Sequence, residues 1–103
     1  MSPASPTDNG HAPTDARAEA AALFAAVARH EQAPTTMQLH CLAAASALRA
    51  PTRPVPPTIR GSEPDRLITQ ALRILGRLDV DDFAHPDVLA AARHGRRALR
   101  EAH

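Results

Sequence analysis

The sequence predicts an all-α protein, a small bundle of three or four helices. Four segments repeat apolar side chains at the three- and four-residue spacing of a helix face, and 23 of the 103 residues are alanine, the strongest helix former. No segment alternates apolar and polar residues over the length of a strand, and β-branched residues are sparse. This length favours one domain and excludes folds of about 200 residues, such as a (β/α)₈ barrel.

The first 13 residues differ in composition from the rest of the chain. They are rich in Pro, Ser, Asn, Gly and Asp, and Met1 is their only large side chain. Such a segment buries too little apolar surface to offset its ordering entropy, so we expect residues 1–13 to be a disordered tail. Residues 14–103 are predicted to form a single helical domain.

Helix 1 is predicted from about Asp15 to Glu31, with Thr14 as its N-cap and Pro34 preventing continuation. An acid in the first turn suits the positive end of the helix dipole. The expected buried stripe is narrow, because most other positions are alanine. It consists of Ala20, Leu23, Phe24 and Val27.

Helix 2 is predicted from about Thr36 to Ala50, and Thr35 with Gln38 fits a capping box. The expected buried stripe is Met37, Cys41, Ala44, Ala45 and Leu48, with Leu39 and Leu42 beside it. Residues 51–61 contain four prolines, which predicts an extended Pro-rich connector between helices 2 and 3.

Helix 3 has the clearest pattern and is expected to be the centre of the core. Ser62 is its predicted N-cap, and Pro64 lies in its first turn. Its apolar face consists of Leu67, Ile68, Ala71, Leu72, Leu75 and Leu78, with Ile74 at the edge.

Helix 4 is predicted from about Pro86 to Ala102, after an acidic connector at residues 79–83. Its expected inward residues are Val88, Leu89, Ala92 and Leu99. Gly95 is expected to weaken the middle of the helix by about 1 kcal/mol relative to alanine.

The most directional polar feature is a row of arginines on one side of helix 4. Its members follow the i, i+3, i+4, i+7 spacing: Arg93, Arg96, Arg97 and Arg100. Guanidinium groups bind carboxylates and phosphates, so this row is the candidate partner-binding site. The alternatives are a solvated face paired in part with the acids of residues 79–87, or a nucleic-acid surface.

Four aspartates precede or begin helix 4: Asp79, Asp81, Asp82 and Asp87. The spacing of the last three resembles the first aspartate-rich motif of isoprenyl diphosphate synthases, and that resemblance implies carboxylates holding Mg²⁺ against a diphosphate. It covers seven residues, and no second such motif is present. A metal-dependent enzyme using these acids and His85 is therefore an alternative, while an acidic loop that complements the helix dipole is the simpler interpretation.

The cysteine and histidine pattern predicts neither a metal site nor a catalytic pair. None of the six histidines shows zinc-ligand spacing, and His40 and Cys41, as helix neighbours, point about 100° apart. Cys41 is expected to be a small buried apolar residue. A single cysteine excludes an internal disulfide.

These observations predict a non-catalytic interaction or regulatory protein in the cytoplasm, with no cofactor. All twelve basic residues are arginine, but the net charge of +1 is low for a dedicated nucleic-acid protein. The N-terminus has no pattern of a secretory signal, and the longest apolar run, residues 20–28, is too short for a membrane span. The few large apolar side chains give a thin core, so we expect a protein partner or self-association through the alanine faces of helices 1 and 2.

Overall fold

The computed structural model describes residues 13–50 and 63–101, which form five helices and no strand. They are α1 (Pro13–Ala28), α2 (Thr35–Leu48), α3 (Pro64–Gly76), the single turn α4 (Val80–Phe83) and α5 (Pro86–Glu101). The predicted all-α bundle is confirmed. Residues 1–12 of the predicted tail, the Pro-rich connector and the predicted cap Ser62 lie outside the described residues.

The four long helices pack as a ring in which each has its main contacts with two neighbours. Both α1 and α5 pack against α2 and α3, so α1 and α5 lie on one diagonal of the bundle. The core is therefore shared by four helices and is not centred on α3, which corrects the prediction for helix 3. Thr36 Oγ1, at the start of α2, donates to Glu101 Oε1 at the end of α5 at 3.0 Å, so these two helices run antiparallel.

The predicted buried stripes of the first three helices are largely confirmed. The buried side chains among them are Ala20, Leu23, Phe24, Val27, Met37, Cys41, Ala44, Leu48, Leu67, Ile68, Ala71, Ile74 and Leu75. Ala45, Leu72 and Leu78 pack against this core while partly exposed.

Three leucines predicted in or beside the core are exposed. Leu39, Leu42 and Leu89 expose 59%, 53% and 37% of their surface, respectively. The prediction that Leu89 faces inward is wrong. The inward side of α5 consists of smaller residues, namely Val88, Ala91, Ala92, Gly95 and Ala98. A helix turns about 100° per residue, so this choice of inward side places Leu89 on the outer side.

The helix starts differ from the predicted caps. α1 begins at Pro13, so Thr14 lies inside its first turn. Pro34 precedes α2, whose N-cap has no side-chain hydrogen bond, and Gln38 Nε2 donates instead to the His30 carbonyl at 2.8 Å. The predicted capping box is therefore wrong, because Gln38 ties the preceding turn to α2 from a position inside the helix.

Among the described residues, no helix combines the length and the apolar character needed to cross a membrane.

Candidate interaction surface

The four predicted arginines lie together on the solvent side of α5. Arg93, Arg96, Arg97 and Arg100 are all exposed, on the side of the helix opposite to the buried Ala91, Gly95 and Ala98. We refer to these four residues as the arginine face. Their row extends over about 10 Å of helix. Within residues 13–50 and 63–101, none of the four forms an ion pair or a side-chain hydrogen bond.

The acids of residues 79–87 do not neutralise the arginine face. Asp87 Oδ2 accepts a hydrogen bond from Arg17 Nη2 of α1 at 3.2 Å, and it lies 3.9 Å from His85 Nδ1. Asp81 and Asp82 lie on the single turn α4. The ion pair with Arg17 joins the N-terminal ends of α1 and α5, and it leaves the guanidinium groups of the arginine face unpaired within the described part of the chain.

The described residues do not bring together the acids proposed for metal binding. No three of the described His, Cys, Asp and Glu side chains are grouped to hold a metal ion. A cavity of about 120 Å³ lies between α1, α3 and α4, with Glu19, Asp79 and Asp82 among its lining residues, but Asp81 and Asp87 are not part of it. This geometry gives no support to the metal-dependent alternative.

Two histidines stack across the contact between α2 and α5. The rings of His40 and His94 have centroids 6.4 Å apart and an interplanar angle of 27°. His94 Nδ1 is buried with no hydrogen-bond partner among the described residues. Burial lowers the pKa of His94 below 6.5, and His40, Arg97 and Arg93 lower it further because positive charge nearby disfavours the imidazolium.

Cys41 is fully buried, as predicted. Desolvation raises the pKa of its thiol to about 12, so the thiol is protonated at neutral pH. A protonated thiol without access to solvent is a poor nucleophile and a poor metal ligand. The structure thus agrees with a packing role for this side chain.

A second exposed surface was not recognised as such from the sequence. A groove of about 250 Å³ lies between α1 and α2 on their outer side. Its lining residues are Ala25, Ala28, Arg29, Thr35, Gln38, Leu39 and Leu42. We refer to this region as the α1/α2 face. The signal that could have identified it is the absence of charge, because α2 contains no Asp, Glu, Lys or Arg.

Comparisons with protein-family models, with curated proteins and with solved structures found no match for this chain. What this chain does must therefore be inferred from the arginine face and the α1/α2 face themselves.

Proposed function

We propose that this chain is a small helical interaction protein that binds an acidic surface of a protein partner through the arginine face. The observation that carries the proposal is the unpaired state of Arg93, Arg96, Arg97 and Arg100 within the described residues. Four guanidinium groups on one rigid helix offer forked donors at fixed spacing, which suits the carboxylates of a partner helix or loop. The role proposed is binding and regulation, without catalysis.

Two features favour a protein partner over a nucleic acid. Leu89 is partly exposed one turn before Arg93, so the row of arginines continues into an apolar side chain, as protein interfaces commonly require. An acid follows the row directly, because Glu101 is the last residue of α5. Its carboxylate would repel a phosphate backbone that extended beyond the row.

We further propose a cytoplasmic location, which the protonated and buried thiol of Cys41 fits, because it needs no oxidising compartment.

The test compares two triple variants that remove equal charge. Arg93→Gln/Arg97→Gln/Arg100→Gln neutralises three of the four residues of the arginine face. The control, the α3 variant, substitutes Gln for three exposed arginines in or directly after α3, namely Arg66, Arg73 and Arg77. Both sets are exposed, so circular dichroism should show that both variants fold. Tagged wild-type protein and both variants are used to capture proteins from nuclease-treated lysate of the source organism, and captured proteins are quantified by mass spectrometry.

We expect at least one acidic protein to be captured by the wild type and the α3 variant and lost by the α5 variant. Capture should weaken as salt is raised, since the contacts are charge-assisted. Binding to double-stranded DNA or RNA at low salt that depends on the α5 arginines would favour the nucleic-acid alternative. Equal capture by all three proteins would refute a role for the arginine face.

A further inference from the structure

Helix α2 has the composition of an interior helix but is covered on one side only. Its 14 residues include no Asp, Glu, Lys or Arg, and apolar side chains occur all around it. Helices that are apolar all round are normally enclosed by protein. Yet α1 and α5 cover the side with Met37, Cys41 and Leu48, while Leu39 and Leu42 on the other side are more than half exposed.

The α1/α2 face carries both protruding and recessed parts. Leu39 and Leu42 project beside the groove, and Ala25 and Ala28 of α1 form part of its wall. The small alanine side chains leave space in the groove for a side chain of another molecule, and a leucine of a second copy could fill that space. A surface that contains both elements can pack against a copy of itself, which is the requirement for a two-fold symmetric interface.

The charges at the ends of α2 suit the same arrangement. Exposed Glu31 precedes the helix and exposed Arg49 follows it, with no Asp, Glu, Lys or Arg between them. If two α2 helices lie antiparallel about an axis midway between Leu39 and Leu42, each Leu39 faces Leu42 of the second copy. Glu31 of each copy then lies close to Arg49 of the other, which gives two complementary pairs.

We propose that the α1/α2 face is a homodimer interface in which two α2 helices pack antiparallel, with Leu39 and Leu42 seated in the groove of the second copy. The α2 helix is about 21 Å long, and α1 and α2 of one copy are together about 20 Å wide. The α1/α2 face therefore covers about 400 Å² on each copy. The total for both copies is about 800 Å², below the roughly 1,200 Å² at which stable specific interfaces begin, so the dimer is a transient one that dissociates in the micromolar range. The proposal deepens the proposed interaction role but uses a different surface from the arginine face, so the two can fail separately.

The test is sedimentation velocity of the full chain from the low to the high micromolar range. The wild-type mass should rise from that of one chain, 11.0 kDa, towards twice that value as concentration increases. Leu39→Ser/Leu42→Ser should remain a monomer at every concentration. Val80→Ser is the control, because Val80 is an exposed apolar residue of α4 outside both the α1/α2 face and the arginine face, and it should dimerise like the wild type.

A charge-reversal series tests the antiparallel register independently of the leucines. Glu31→Arg and Arg49→Glu, each alone, should raise the dissociation constant about threefold to tenfold, because two like-charge pairs replace two attractive ones. The double variant Glu31→Arg/Arg49→Glu should restore wild-type dimerisation. These residues are exposed, so circular dichroism melting at low concentration should show folded monomers in all cases.

The proposal is overturned if the wild type remains a monomer throughout, or if a dimer forms with Leu39→Ser/Leu42→Ser as readily as with the wild type. If the wild type is a monomer and Leu39→Ser/Leu42→Ser melts at a much lower temperature, another part of the same chain covers the face, and the proposal is again overturned. Growth beyond two chains would contradict two-fold closure.

Discussion

Gly95 offers the sharpest test of the packing, because its lack of a side chain allows α5 to approach α1 and α3. A Cβ atom at this position would lie 3.0 Å from Leu72 Cδ2 and 3.0 Å from both Cε1 and Cζ of Phe24. Phe24 is fully buried, so its ring can move only by displacing other core side chains. The sequence alone indicated only the weakness of glycine as a helix former, and the structure adds a reason for its presence.

The expected effect of Gly95→Ala is the balance of two opposing terms. Alanine gains about 1 kcal/mol over glycine inside a helix. Against this, carbon atoms in contact prefer about 3.5–4.0 Å, so the new methyl is about 0.5–1 Å too close to two side chains. Overpacking in a core costs about 1–3 kcal/mol, and contact with a fully buried ring places this site at the upper end. We therefore expect a net destabilisation of about 1–2 kcal/mol.

Gly76→Ala is the matched control, since Gly76 is exposed at the end of α3 and a Cβ there would meet nothing within 4 Å. It should stabilise the protein by about 0.5 kcal/mol. Urea unfolding followed by circular dichroism measures both values. Adding Phe24→Leu to Gly95→Ala should recover at least about 1 kcal/mol relative to the sum of the single changes, because the smaller side chain removes the clash. If Gly95→Ala is as stabilising as Gly76→Ala and shows no coupling to position 24, the packing described for α5 is incorrect.

Three further predictions concern the polar and titratable groups. Asp87→Asn should lower the free energy of unfolding in urea by about 1 kcal/mol more than Asp65→Asn does. Both aspartates follow the proline that begins a helix, but only Asp87 pairs with Arg17. Equal losses in the two variants would contradict that pairing. Cys41 should react with a thiol reagent at pH 8 only as fast as the protein unfolds, and rapid labelling of the folded protein would contradict its burial. Folding lowers the pKa of His94, so the unfolded chain binds a proton at this histidine more tightly than the folded protein does. The melting temperature should therefore fall as the pH drops below about 6.5, and it should fall less in His94→Gln. An unchanged pH profile in this variant would contradict the lowered pKa of His94.

The sequence was sufficient for the fold class and for most of the buried stripes, because these depend on local periodicity. Leu23, Phe24 and Val27 recur at helical spacing, and nothing in the neighbouring alanines competes for the inward side. In α5 the same reasoning was right for Val88 and Ala92 but wrong for Leu89, which it placed inward because of its size. Phe24 approaches Gly95 closely, so small residues are required on the inward side of α5. Because Phe24 belongs to another helix, the local sequence of α5 does not indicate this requirement.

The arginine face could be predicted residue by residue, whereas the α1/α2 face could not, and the difference has a physical cause. A guanidinium group is expensive to bury without a partner, so a row of arginines on one helix side is placed in solvent by its own chemistry. Leucine can be buried without a polar partner. The sequence spacing of Leu39 and Leu42 is therefore the same whether they pack against other residues of this chain or against a second molecule. What distinguishes the two cases is the number of helices available to surround α2. In this bundle only α1 and α5 pack closely against it among the described helices, so one apolar side of an interior-type helix is left exposed.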